Sequence, residues 1–247
     1  MRSAPKIFVG TLACGESELD ECCAAVQAQQ GVDATHLVIS NLREREAHLA
    51  LWDSWEKQKS HHDIFVKIDA DTVLSRPTAL REIADLFSSP DVTGAQILLH
   101  DYFTDRLIAG LNAFSRAVTF KKSRSRLMPD RVDADHMRVL KGAAVSHLAP
   151  IGWHCRMPHP RQAFHFGLHR ALKKQHDVIA RSAEVWLAQR DEARSWALTG
   201  AMSATWRMRF GFDYAQRGFE RAFAARAADP DRLPRVEAFA NSCLRGN

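Results

Sequence analysis

Two hydrophobic periods take turns along the first hundred residues. Lys6–Val9 is a short apolar run and Ala34–Ser40 (ATHLVIS) another, each the length of a strand. Between them, Leu19, Cys22, Cys23 and Val26 fall at i, i+3, i+4 and i+7, one stripe of a helix predicted over Glu16–Gln30 and stopped by Gly31. A polar stretch, Asn41–Glu46, leads into a second predicted helix through Leu49, Leu51, Trp52 and Trp55. Ile64, Val66 and Ile68 then alternate with Phe65 and Lys67, which predicts a buried strand. Leu80, Ile83, Ala84 and Phe87 repeat the helical stripe until Ser88-Ser89-Pro90 ends it, and Thr93–Leu99 predicts a fourth strand. This β-α-β-α-β-α-β alternation implies a largely parallel sheet with helices on both faces. Ligands of such sheets bind beyond the carboxyl ends of the strands.

One of those ends carries chemistry. The third strand runs into Asp69-Ala70-Asp71, two carboxylates on one face of an extended chain. If the chain turns at Asp71, both converge on one point just past the strand. Like charges so placed call for a cation, and hard carboxylate oxygens suit Mg²⁺ or Mn²⁺. The bland alternative is that the pair caps the helix beginning near Thr78. Thr11 and Asn41 lie at the ends of the first two strands, so three strand ends point to one site.

Composition narrows the setting. At 247 residues with 46% apolar content, the chain can bury a sizeable core, as one large α/β domain or as a domain with an appendage. No apolar run approaches the length of a membrane span, and residues 1–10 lack the features of a secretory leader. Cys14, Cys22, Cys23, Cys155 and Cys243 are odd in number and lack zinc spacing, so a reducing, cytoplasmic setting is expected. A net charge of +5 is modest, and no nucleic-acid reading motif accompanies it, so a basic nucleic-acid-binding module is a distant alternative.

Four features together resemble the GT-A glycosyltransferases of the family 2 type. Glu16, Leu19, Cys22, Val26 and Gln29 are similar to that family's first helix, and Asp69-Ala70-Asp71 stands where its DxD metal motif stands. Gly110-Leu-Asn-Ala-Phe-Ser-Arg116 resembles its Gly-x-Asn-x-x-Phe-Arg-Arg stretch, and Asp133-Ala-Asp135 lies where it carries an acidic acceptor-side motif. Ser40-Asn41-Leu42-Arg43 replaces the family's Asp-Asp-Gly-Ser turn after the second strand. The resemblance covers about residues 5–170. It implies a GT-A fold over 1–172 with a helical extension over 173–247, a nucleotide-sugar donor, Mn²⁺ or Mg²⁺, and a glycan or lipid-linked acceptor. Asp69 and Asp71 are then the metal pair. Thr11, Asn41, Arg43, Lys67 and Asp69 are the candidates for donor contact. Asp135 and Asp133, then Asp101, are the candidates for the base that deprotonates the acceptor hydroxyl. The family often completes its metal site with a late histidine, and His154, at a strand end, is the candidate here.

IDADTVL also fits the nucleophile motif of haloacid-dehalogenase-type phosphatases, with His100-Asp101 to Asp105 as a later acidic motif. Against that alternative, the phosphatase motif follows the first strand and this one follows the third. His165 and His169 are spaced i, i+4 on a predicted helix, as zinc-binding pairs are, without the glutamate of a metalloprotease motif. Lys121-Lys122-Ser-Arg124-Ser-Arg126 is a cationic loop suited to donor phosphates or an anionic acceptor. Met202, Trp206 and Phe210, then Phe212, Phe219 and Phe223, form apolar stripes interleaved with Arg207, Arg209, Arg217, Arg221 and Arg226. Such helices pack on their own domain or on a subunit partner, or lie on an anionic membrane surface.

Overall fold

The computed structural model describes residues 3–120, 138–204 and 217–245. The chain divides into two compact units, residues 1–102 with 106–156, and residues 103–105 with 157–247.

The first unit is built on one eight-stranded sheet of order β2-β1-β3-β6-β5-β8-β4, with β7 paired to β5. Its strands are β1 Lys6–Ala13, β2 Asp33–Ser40, β3 Ile64–Asp69, β4 Thr72–Leu74, β5 Val92–Asp101, β6 Arg106–Ser115, β7 Arg138–Leu140 and β8 Gly152–His154. β1, β2 and β3 run parallel, as do β5, β7 and β8, while β6 is antiparallel to both β3 and β5 and β4 is antiparallel to β8. The mostly parallel α/β sheet that the resemblance implied is therefore present. β6, the long antiparallel strand in its middle, is an element the pattern did not predict. It carries most of the Gly110–Arg116 stretch, whose alternation is hidden by its exposed first half.

Three helices cover the sheet: α1 Leu19–Gln27, α2 Glu44–Gln58 and α3 Ala79–Asp85. The alternation in β1 and β3 explains which goes where. Ile7, Val9, Ile64, Val66 and Ile68 face one side and meet Cys22 and Val26 of α1 and Leu80 and Ile83 of α3. Phe8 and Phe65 face the other and meet Leu51, Trp52 and Trp55 of α2. Trp52 stacks edge-on to Phe65 with ring centres 5.1 Å apart. At Gly10 a Cβ would come within 2.3 Å of Leu51, so glycine there lets α2 approach β1.

The second unit contains α4 Pro160–Leu172, α5 His176–Gln189, α6 Glu192–Ser203, α7 Arg217–Ala227 and α8 Arg232–Arg245. The sequence division at 172/173 falls just after α4, yet α4 groups with the helices that follow. Two glycines account for this. A Cβ at Gly167 would lie 1.7 Å from the Ala197 carbonyl oxygen, and one at Gly200 would lie 1.9 Å from that of Phe164. The backbones of α4 and α6 thus touch, and only glycine permits it. Gly200→Ala should gain about 1 kcal/mol of helix propensity but cost more by forcing the helices apart. The expected net loss is at least about 2 kcal/mol, read as a lower urea midpoint.

Of the helical stripes, the described residues Phe219 and Phe223 pack within this unit. Phe219 is wholly buried and meets Phe164 with ring centres 5.7 Å apart, and Phe223 meets Trp196 at 5.1 Å. Trp206, Phe210, Phe212, Arg207 and Arg209 lie outside the described residues, as do the cationic loop 121–126 and the Asp133/Asp135 pair. Among the described residues, no helix is long and apolar enough to cross a membrane.

Candidate metal centre at the carboxyl edge of the sheet

Because β1, β2, β3, β5 and β8 run the same way, their carboxyl ends share one edge of the sheet. The chain turns at Ala70-Asp71 and returns as β4. Asp71 joins a cluster with His154 and Cys155, whereas Asp69 is not a member of it and has its carboxylate held by Lys67. Neither carboxylate caps α3, whose N-cap is Thr78. β8 sits between β5 and β4, with Asp101 opposite His154 on one side and Thr72 opposite His154 on the other. That register brings residues far apart in sequence into one cluster. His154 Nδ1 lies 2.6 Å from Asp101 Oδ1, and its Nε2 lies 3.7 Å from Asp71 Oδ2. The Cys155 thiol donates to Asp71 Oδ2 at 3.1 Å, and its sulfur is 3.6 Å from His154 Nε2. The Cys155 backbone N–H also bonds the Asp71 carbonyl at 2.8 Å.

Asp71, His154 and Cys155 present one donor atom each within 4.8 Å of one another, the one such group among the described residues. The remaining carboxylate oxygen of Asp71, Oδ1, is buried without a hydrogen-bond partner. A buried carboxylate oxygen left without a partner is costly, and a cation would satisfy it. The donor set therefore fits a divalent ion.

Electrostatics point the same way. Burial pushes the Asp71 carboxyl up, the nearby His154 opposes that, and the Asp69 charge adds to it. Asp69 behaves oppositely. Burial raises it, but the Lys67 charge and hydrogen bond outweigh burial and hold it below the usual carboxylate range. Lys67 Nζ donates to Asp69 Oδ1 at 2.6 Å, while the Asp69 side chain stays 47% exposed. Lys67 is thus a buried counter-ion rather than an open phosphate contact.

The loop after β1 adds carboxylates that the sequence pattern assigned to a helix. α1 begins at Leu19, so Glu16 lies in the preceding turn and Glu18 at the helix N-cap, where it is buried. The Cys14 backbone N–H donates to Glu16 Oε2 at 2.5 Å. Glu16 is pushed up to about 7, first by burial and further by the charges of Asp71 and Asp69. Between its usual 4.5 and about 7, the folded chain holds a proton that the unfolded chain has lost. Stability therefore falls as pH rises through that window. In chelated protein, Glu16→Gln should raise stability at pH 8 by roughly 1–3 kcal/mol and leave it unchanged at pH 4, a difference measurable by denaturant titration.

The other sequence candidates fall into place unevenly. Thr11 is not at a strand end, because β1 continues to Ala13; it is wholly buried, with its hydroxyl 2.9 Å from His36 Nε2. Asn41 does follow the end of β2, exposed and in a left-handed conformation (φ 62°), and exposed Arg43 is the N-cap of α2. Asp101 is wholly buried against His154, a position for orienting the imidazole rather than touching an acceptor. His165 and His169 neighbour each other on α4 with ring centres 5.5 Å apart, and burial pushes His169 well below its usual value. Cys155, Glu16 and Glu18 were missed. The order His154-Cys155 beside a strand end was the available signal for the first.

The chain matches no protein-family model and no curated protein sequence. Among solved structures it is similar to a mannosyltransferase from Pyrobaculum calidifontis, PcManGT, determined in complex with GDP-Man and Mn²⁺. Identity is 14%, the TM-score is 0.42, and the match covers 98% of this chain and 87% of that one. It is also similar to a glycosyltransferase involved in the glycosylation of the major capsid of PBCV-1, at 14% identity and a TM-score of 0.32, over 45% of this chain and 60% of that one.

Proposed function

We propose that the protein is a metal-dependent glycosyltransferase that moves a sugar, of hexosyl type, from a nucleotide-sugar donor to a hydroxyl acceptor. The observation that supports it most is the Asp71–His154 pair at the carboxyl edge, with the buried Oδ1 of Asp71 left for a cation. Asp71 and His154 would hold the ion. A divalent ion at that place offsets the negative charge that a nucleoside diphosphate gains as it leaves. Asp101 holds His154 by Nδ1, so that Nε2 faces Asp71. Lys67 keeps Asp69 ionised and fixes one of its oxygens, leaving the exposed side of the carboxylate for the donor ribose or the ion. Asn41 and Arg43, exposed beyond β2, would contact the nucleotide.

The test is calorimetric titration with nucleoside diphosphates, with and without Mn²⁺. The expected result is binding that requires the ion, and equal affinity in chelator would end the proposal. The acceptor base is assigned to Asp135 or Asp133 on the sequence resemblance. Asp135→Asn or Asp133→Asn should lower turnover at least about a hundredfold with donor affinity unchanged, the pattern of a contact made in the transition state. Near-normal turnover in both variants would remove the assignment.

A further inference from the structure

The two-carboxylate motif by itself suits a hard ion such as Mg²⁺, but the residues that meet Asp71 in the fold are an imidazole and a thiol. Thiolate and imidazole favour zinc-like ions, while carboxylate, carbonyl and water favour magnesium. We propose that Cys155 is a ligand, and that Asp71, His154 and Cys155 form a three-residue site for a borderline, thiophilic dication of the Zn²⁺ or Co²⁺ class with an open fourth position. This rests on the reading above only in taking Asp71 and His154 as ligands. It is independent of sugar transfer.

Geometry carries the argument. Bonds of about 2.3 Å to sulfur and about 2.0–2.2 Å to nitrogen and oxygen, at tetrahedral angles, separate the donor atoms by about 3.3–3.6 Å. Neighbouring oxygen ligands of an octahedral Mg²⁺, at about 2.0–2.1 Å from the ion, lie only about 3 Å apart. The separations here are 3.6 Å for sulfur to Nε2 and 3.7 Å for Nε2 to Oδ2. The third, sulfur to Oδ2, is 3.1 Å, because a thiol hydrogen bond spans it. Exchange of that proton for an ion would open it by a few tenths of an ångström. The shell behind the donors is also in place. Asp101 accepts at His154 Nδ1, the carboxylate–histidine–metal arrangement that fixes ring orientation. The Cys155 amide is tied to the Asp71 carbonyl, which holds the thiol against the carboxylate. Cys155 is 1% exposed, so an ion would enter past the side chains of His154 and Asp71, which are 12% and 19% exposed.

The test is titration of chelator-treated full-length protein with Co²⁺ alone, followed by absorption. The expected result is a thiolate-to-cobalt charge-transfer band together with the intense visible bands of a four-coordinate ion. Cys155→Ser should abolish the charge-transfer band and lower the Zn²⁺/Mn²⁺ affinity ratio at least about tenfold. Cys22→Ser should keep both. Weak, octahedral-type bands without charge transfer in the wild type would overturn the proposal, as would a band that survives Cys155→Ser. If those results came with Mn²⁺-dependent nucleotide binding, the transferase reading would stand without the thiolate. If no dication bound at all, both would fall. The wild-type spectrum decides the matter even if the serine variant does not fold.

Discussion

Asp71→Ala is expected to abolish the dependence of nucleoside diphosphate binding on a divalent ion and to lower turnover by about 10²–10³-fold, the scale of losing one group that stabilises transition-state charge. The same change should leave the fold intact. Removing the Asp71 side chain gives up the thiol hydrogen bond from Cys155 to Oδ2. It also removes a buried oxygen without a partner and a carboxyl pushed up by burial, a penalty expected to outweigh that one contact. Its backbone carbonyl still accepts from Cys155. Chelated Asp71→Ala should therefore melt at or above the wild-type temperature. Added metal should raise the wild-type midpoint by mass action and leave the variant unmoved. A variant that loses activity and also unfolds early would mean that Asp71 is structural. Gain of stability with loss of function is the pattern of a site whose strain is kept for its chemistry.

Asp101→Asn separates two roles for a carboxylate that the sequence offered as a base. Asp101 is wholly buried and accepts from His154 Nδ1. Asparagine keeps the shape and one acceptor but loses the charge. A positioning residue should then show about 10–100-fold weaker metal affinity, with turnover largely restored at saturating metal. A general base would show the reverse, with metal affinity untouched and turnover low at any metal concentration. The expected outcome is the first, read by metal titration in parallel with saturation kinetics. Asp101→Glu offers a rescue arm, since its carboxylate can still reach Nδ1 after a small shift.

The sequence by itself determined the elements and their faces. Alternation in Ile64–Ile68 and in β1 set which side chains enter each half of the core, because strand geometry fixes side-chain direction locally. The stripe Leu19, Cys22 and Val26 set the buried face of α1 for the same reason, and the two observed helix cores, around Val66 and Phe65, follow from it. The place of Asp69 and Asp71 at a strand end was legible too, since it needs only the strand and its stop. Tertiary structure decided everything that depends on pairing between distant segments. β6 enters the middle of the sheet and reverses direction there, which no local period records. The register of β8 between β5 and β4 brings His154 to Asp101 and Cys155 to Asp71, across 53 and 84 residues of chain. Thr11 reads as a strand end in sequence, but β1 continues past it, paired with β2 as far as Ala13, and Thr11 is buried. Lys67 could reach a phosphate, yet in the buried strand its ammonium has Asp69 beside it. α4 joins the helical unit because Gly167 and Gly200 let two backbones touch, a property of the crossing and not of either helix. Local chemistry thus chose the element and the carboxylate pair, while long-range pairing chose the imidazole and thiol that meet Asp71.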